Sequence, residues 1–113
     1  RVGIGTNTPQ YKLDVCGTIR ATEIKVESGW CDYVFDEHYK LRSIPDLEKY
    51  ITEHKHLPGI LPASQVEKEG LTVGEMSKAM MEKIEELTLY IIQLKKENDE
   101  LSKKVDFLLK KSK

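Results

Sequence analysis

The chain has 113 residues, of which 39% are hydrophobic and 33% are charged, and its formal net charge is −1 at pH 7. This near-neutral balance gives no reason to expect a nucleic acid or a membrane surface as a partner. No apolar run approaches the roughly 18 residues that a membrane-spanning helix requires, so we expect a soluble chain. The opening "RVGIGT" has neither an initiator methionine nor a signal peptide, and we interpret the chain as a fragment of a longer protein.

Residues 1–27 are predicted to be rich in β-strand. In "KLDVCGTIRA", apolar or small residues occupy every second position from Leu13 to Ala21, which is the pattern of a half-buried strand. The alternation shifts by one position before Ile24, so we expect a bulge or turn near Thr22 and Glu23. Such short strands bury little apolar surface alone. We therefore expect them to pair with other chains or with sequence further upstream.

Residues 28–71 are predicted to form a small α/β head. Their aromatic side chains offer enough area to anchor a small core, and we expect core packing. A sugar-binding platform that meets a host glycan or receptor is the alternative use of these residues. The aromatic residues concerned are Trp30, Tyr33, Phe35 and Tyr39.

Two short helices are predicted within the head. In "SIPDLEKYITEH", Ser43 can cap a helix from about Pro45 to His54, because a proline is tolerated in the first turn. "HLPGILP" then interrupts regular structure. In "ASQVEKEG" the capping pair is Ser64 with the glutamate three residues later, and Gly70 is a natural stop.

Residues 72–113 are predicted to form one long helix. Thr72 and Glu75 form another capping box, and no proline occurs from Val73 to about Leu109. Such a helix would be roughly 55 Å long at 1.5 Å per residue. The head is too small to cover that length.

The long helix carries a heptad repeat over four heptads, which favours a coiled coil. No second helix of comparable length exists to pair with it inside one chain, so we expect parallel self-association. The seam, as we call the a and d positions, consists of Met80, Ile84, Leu87, Ile91, Leu94, Asn98, Leu101, Val105 and Leu108.

The width of the apolar face changes along this helix. Between Met76 and Ile92 additional apolar residues widen the face beyond the a and d positions, and after Leu94 it narrows to the seam. A wide face needs neighbours on several sides, whereas an a/d stripe needs only partner helices. We therefore expect the start of the helix to dock on the head and a coiled coil to run from about residue 84.

Asn98 is the one polar residue in the seam. In a parallel bundle the Asn98 amides of all chains meet at one level and hydrogen-bond, whereas a slipped or antiparallel pairing leaves them unpaired. We expect Asn98 to fix register at a cost in stability. Isoleucine at a with leucine at d favours two strands. Apolar flanking residues suit a thicker bundle, so the heptads leave dimer and trimer open.

Several motifs resemble known fibre proteins. "VGIGTNTPQYKLDVCGTIRATEIKV" resembles the short repeat of bacteriophage tail-fibre-like and surface fibre proteins of Bacteroidetes. "WCDYVFDEHYKL", "LEKYITEHKHLPGI", "VEKEGLTVGEM" and "KIEELTLYIIQ" resemble the C-terminal module that often closes such fibres. The resemblance implies a homotrimer on a virion, extracellular fibre or cell surface, in which a β-rich shaft ends in an α/β head and a coiled coil. It favours trimer over dimer and implies a role in trimerisation, chain registration and assembly.

The layout is also similar to the intramolecular chaperone domains of endosialidase-type tail spikes, which cleave themselves at a Ser-Asp pair. Here Ser28 is followed by Gly29. We therefore expect a non-cleaving module, with a self-cleaving chaperone protease as an alternative.

Metal and catalytic chemistry is not expected. His54 and His56 lie two residues apart, and Cys31, Asp36 and His38 are further candidate ligands, but the spacing is not that of a structural zinc motif. Two cysteines are too few for a disulfide framework. The sequence thus predicts an α+β, non-enzymatic trimerisation and assembly module without cofactor or metal.

Overall fold

The structure, a computed structural model, describes residues 1–112. It is mostly one long helix, accompanied by two short strands and two small helices, in an extended shape of 82 × 30 × 28 Å. The elements in chain order are β1 (Val2–Ile4), β2 (Leu13–Val15), α1 (Ile44–His54), α2 (Ala63–Glu69) and α3 (Val73–Lys111).

The two strands form a parallel sheet in which Val2 lies opposite Leu13 and Ile4 opposite Val15. A 2.8 Å hydrogen bond from the Cys16 backbone N–H to the Ile4 carbonyl closes one end of the pair. Gly5 has a positive φ of 77°, and a Cβ there would lie 2.7 Å from the Cys16 carbonyl oxygen. Only glycine fits this approach of the two chain segments.

The predicted strand is longer than the observed one. The alternation continues to Ala21, yet β2 ends at Val15, and residues 16–42 contain neither helix nor strand. A strand needs a neighbour for its backbone N–H and C=O groups. Since β1 is only three residues long, no strand among residues 1–112 pairs with the chain beyond Cys16. Ile19 and Ile24 in this segment are accordingly exposed.

Helix α1 confirms its predicted cap. The Ser43 hydroxyl accepts a 3.3 Å hydrogen bond from the Asp46 backbone N–H, and Pro45 lies in the first turn. The helix ends at Lys55, whose backbone is left-handed with φ 62° and whose N–H donates to the Ile51 carbonyl at 2.8 Å.

The caps predicted for the other two helices are wrong. Helix α2 follows Pro62, so Ser64 lies inside its first turn and provides no cap. Thr72 does occupy the N-cap position of α3, but its side chain makes no capping hydrogen bond. Gly70 stops α2, as predicted, and its positive φ of 73° is a conformation that glycine adopts most easily.

The core of the described chain is small and lies where the head meets α3. Its buried apolar side chains are Cys31, Val34 and Tyr90. The expectation that Trp30 and Phe35 pack in a core is wrong within one chain, because 59% and 61% of their surfaces are exposed. The smaller residues of "WCDYVF" are buried instead, because this segment lies directly against the helix.

Candidate functional site

The first half of α3 is joined to the head by two tyrosine–glutamate hydrogen bonds. The Tyr33 hydroxyl donates to the Glu82 carboxylate, and the Tyr39 hydroxyl donates to the Glu86 carboxylate at 3.1 Å. The bond to Glu82 raises the pKa of Tyr33 to about 12 and lowers the pKa of Glu82 itself. Burial, together with the charge of Glu86, raises the pKa of Tyr39. Both phenols therefore stay neutral hydrogen-bond donors well into the alkaline range.

Two further contacts complete this junction. The Tyr90 hydroxyl donates a 2.8 Å hydrogen bond to the Arg42 carbonyl, and the Cys31 sulfur lies 3.8 Å from the Glu85 carboxylate. Burial, reinforced by the charge of Glu85, raises the pKa of the Cys31 thiol. Since the thiolate is the reactive form of cysteine, the burial and raised pKa of Cys31 both lower its reactivity.

Lys83 neutralises the glutamates of the junction. Its ammonium lies 2.7 Å from Glu86 and 3.2 Å from Glu82. Burial by itself would lower the pKa of Lys83, but the two carboxylates outweigh burial and the net shift is upward. The lysine stays charged and offsets the repulsion between the two carboxylates.

These contacts all use one side of α3. In the heptad numbering that places Ile84 at a, the contacting helix residues occupy positions b, c, f and g. On a helical wheel b, c and f lie on the side away from a and d, and g flanks the seam. The head therefore covers the back of the helix and leaves the seam uncovered.

The seam is exposed along its whole length. Its apolar members have exposed fractions between 47%, at Val105, and 63%, at Leu108. From Met80 to Leu108 it spans about 42 Å of helix at 1.5 Å per residue. Contiguous exposed apolar surface commonly marks an interaction site. The candidate functional site is this stripe.

Asn98 also lies on the exposed surface of the helix. Its neighbours pair along the helix, Gln93 with Glu97 at 3.3 Å and Lys95 with Asp99 at 2.8 Å. Within residues 1–112 no such partner is present for the Asn98 amide. The amide is thus available to a group on another chain.

The candidate binding aromatics do not form one platform. The rings of Tyr33 and Tyr39 lie 5.8 Å apart, and both hydroxyls are engaged with glutamates of α3. Trp30 and Phe35 present exposed rings. The structure therefore divides the four predicted residues into two that hold the junction and two that face outward.

Two of the three histidines lie beside Tyr50, an arrangement that was not predicted from the sequence. The His54 and His56 rings lie 4.2 Å and 5.7 Å from the Tyr50 ring, and the Arg42 guanidinium lies 4.9 Å above it. The i, i+4 spacing of Tyr50 and His54 on α1 was the available signal. Across the part of the chain that the structure describes, no group of three or more His, Cys, Asp or Glu residues is placed to hold a metal ion.

Ser28 lies near the start of α3 rather than beside a base. Its hydroxyl donates to the Gly29 carbonyl oxygen at 3.4 Å. It also approaches Gly74, where an added Cβ would lie 2.9 Å from the Ser28 oxygen. Among residues 1–112, no acidic or imidazole group hydrogen-bonds to this hydroxyl.

A groove lies beside the seam, between the head and α3, with a volume of about 200 Å³. Leu47, Leu57 and Pro58 line its head side, and Ile84 and Leu87 of the seam line its helix side. The groove was not predicted from the sequence. The apolar stretch "HLPGIL" after α1 was the available signal, but the sequence does not show which face of α3 this stretch contacts.

Comparison of the chain with known protein families, with curated proteins and with solved structures gives no match. None of the helices in the described part combines the length and the apolar character needed to cross a membrane.

Proposed function

We propose that this chain is a non-enzymatic trimerisation and assembly module of a fibre protein, located on a virion, an extracellular fibre or a cell surface. The observation that supports the proposal is the position of the seam. It is exposed on the face of α3 opposite the contacts with Glu82, Glu85 and Glu86. Copies of the chain can therefore associate through the seam without disturbing the head.

The free energy available from the seam is large. Burying one leucine or isoleucine side chain contributes about 1.5–3 kcal/mol, and the seam holds several such residues. The chain's own helices cannot supply this burial, because α1 and α2 have only 11 and 7 residues. Copies of α3 have the matching length and pattern.

A parallel arrangement is proposed because it brings the Asn98 amides together. It also places the three heads at one end of the bundle, with their β1–β2 sheets close to one another. The two-stranded sheet is too small to be stable alone. Association of the helices raises the local concentration of these strands and so promotes their packing between chains.

The trimer is proposed from the resemblance to fibre proteins, with the dimer as the alternative. Isoleucine at a and leucine at d favour two strands. Apolar flanking residues argue for more, although Tyr90 at g is already largely buried within its own chain. The molar mass of the assembly distinguishes a trimer from a dimer directly.

The test is light scattering on the intact chain. A mass three times the 13.0 kDa chain mass is expected, and a mass equal to one chain at high concentration would contradict the proposal. The variant Leu101→Asp should dissociate the assembly, because it places a charge in the seam. Phe107→Asp is the matched control, because Phe107 and Leu101 are similarly exposed in the single chain, at 58% and 60%. Phe107 differs in its place on the helix, since it occupies the outer c position. Equal effects of the two variants would contradict a role for the seam.

A second candidate function is recognition of a host glycan or receptor, which the exposed rings of Trp30 and Phe35 favour. Aromatic rings bind sugars by stacking on their apolar faces. The test is binding of the chain to an immobilised panel of bacterial and host glycans. Binding that is lost in Trp30→Ala and Phe35→Ala, with an unchanged molar mass, would support this function. Absence of binding to the whole panel would count against it.

A further inference from the structure

We propose that the groove beside the seam seats the α3 helix of the neighbouring protomer, so that the head of one chain grips the helix of the next. The inference rests on the proposed function, because it assumes parallel self-association. It adds a second interface, between head and helix, to the one between the seams.

The groove is continuous with the seam. Ile84 and Leu87 occupy positions a and d, and both line the groove. Any helix that packs on these two residues therefore also lies along the head residues opposite them. Those residues include Leu57, which is 41% exposed in the single chain and so has apolar surface left to bury.

The two flanks of the seam differ. On the g side, Lys83 and Tyr90 lie under the head and line the groove. On the e side, Thr88 is exposed, and beyond it Ile92 at position b is 46% exposed. One flank thus carries the groove, and the other carries the exposed Thr88 and a half-exposed Ile92, which lies beside Leu41 of its own head.

A parallel coiled coil brings these unlike flanks together. The g residue of one helix lies beside the e residue of the next heptad in its neighbour, so Lys83 is matched with Thr88 of the adjacent copy. Ile92 lies one turn beyond Thr88 on the same flank. This places Thr88 of the neighbour at the rim of the groove, which Lys83 and Leu57 both line, and Ile92 one turn further along.

The charges of the groove agree with such an occupant. Lys83 on its rim is already paired with Glu86 at 2.7 Å, and Arg42 lies over the Tyr50 ring. Neither cation needs an acid from the neighbour. The two residues that enter, Thr88 and Ile92, are uncharged.

A contact between unlike surfaces produces a closed ring when it repeats around a rotation axis. Each chain then gives one flank and receives another. The head consequently becomes part of the oligomer interface rather than an appendage on a coiled coil.

The test is disulfide cross-linking of the intact chain in a Cys16→Ser background, since Cys16 is the exposed thiol and Cys31 is buried. The reporter pair is Leu57→Cys with Thr88→Cys, oxidised by copper phenanthroline in air. The matched control is Leu57→Cys with Ser102→Cys. Ser102 is also an exposed hydroxyl residue at position e, but it lies roughly 21 Å further along the helix. The single variant Leu57→Cys is a second control, because a disulfide formed by it alone would show that two grooves contact each other.

We expect a covalently closed oligomer on a denaturing gel. It should form about tenfold faster with Thr88→Cys than with Ser102→Cys, because neighbouring thiols meet at a high effective concentration. Equal rates, a bond within one chain, or cross-linking by Leu57→Cys alone would overturn the groove inference. Light scattering on the same samples distinguishes failure of the groove inference from failure of the proposed function. A trimer or dimer without the preferred cross-link overturns only the groove, whereas a monomer overturns the proposed function as well.

Discussion

The Tyr90 hydroxyl donates a 2.8 Å hydrogen bond to the Arg42 carbonyl, which lies just before the cap of α1. The two residues are 48 positions apart in the chain. Tyr90 is also one of the few buried apolar side chains of the described residues. This pair therefore fixes where the head lies along the long helix.

Replacing Tyr90 with phenylalanine removes this bond and keeps the ring. We expect Tyr90→Phe to lower the free energy of unfolding by about 1 kcal/mol, which is typical of one hydrogen bond. The measurement is urea denaturation at a fixed protein concentration. Tyr11→Phe is the control, because Tyr11 is 74% exposed and should leave stability unchanged. Equal stability of the two variants would show that the bond contributes nothing.

The tyrosines of the junction predict a loss of stability at high pH. The pKa of Tyr33 is raised from 10.0 to about 12, so the unfolded chain loses this proton before the folded chain does. The stabilisation is complete below pH 10 and is lost as pH rises through about 12. Burial raises the pKa of Tyr39 in the same direction.

The measurement is the alkaline titration of phenolate absorbance, followed together with circular dichroism. Tyr33→Phe should remove a late-titrating phenol and reduce the slope of stability against pH above 10. Tyr11→Phe again provides the comparison. A Tyr33→Phe variant with the same late-titrating absorbance as the parent chain would contradict the assignment.

Asn98→Ile should raise the melting temperature and broaden the distribution of oligomer sizes, because an apolar residue in the seam gains burial and no longer specifies register. Calorimetry and light scattering measure the two effects. Lys103→Ile, at the outer f position, adds the same side chain without entering the seam. Loss of stability in Asn98→Ile, with a single oligomer size retained, would show that Asn98 does not act as a register residue.

Gly74 permits the close approach of residues 26–28 to the start of α3. A Cβ at this position would lie 2.8 Å from the Val26 side chain and 2.9 Å from the Ser28 oxygen. We expect Gly74→Ala to displace this segment while the helix remains intact, because alanine favours a helix over glycine by about 1 kcal/mol.

Trypsin cleavage after Lys25 measures that displacement and should become faster in Gly74→Ala. Ser77→Ala, one turn further along α3, provides the control. An unchanged rate of cleavage would mean that the segment already moves away from Gly74 in solution.

Local signals allowed the helices to be predicted. The Ser43 cap and Pro45 act within one turn of each other, so the start of α1 could be read from four neighbouring residues. The heptad repeat and the absence of proline likewise predicted α3, which ends at Lys111, close to the expected Leu109. The strand beyond Val15 was overpredicted because alternation reports a suitable side-chain pattern and not the presence of a partner strand.

The residues of the candidate site could be predicted from the sequence, but the position of the head beside them could not. Periodicity identified the seam, and exposure of those residues agrees with an uncovered stripe. The side of α3 on which the head lies depends on contacts such as Tyr39 with Glu86, which are 47 residues apart. Size suggested that Trp30 and Phe35 were core residues, whereas the small Cys31 and Val34 fit the narrow space against the helix.

The 82 Å length of the chain governs its motion in water. A rod experiences more friction than a sphere of equal mass, so it diffuses slowly and elutes early from a sizing column. A single copy would therefore run at the position of a larger globular protein. Elution volume alone would overstate the number of chains in any assembly of this molecule.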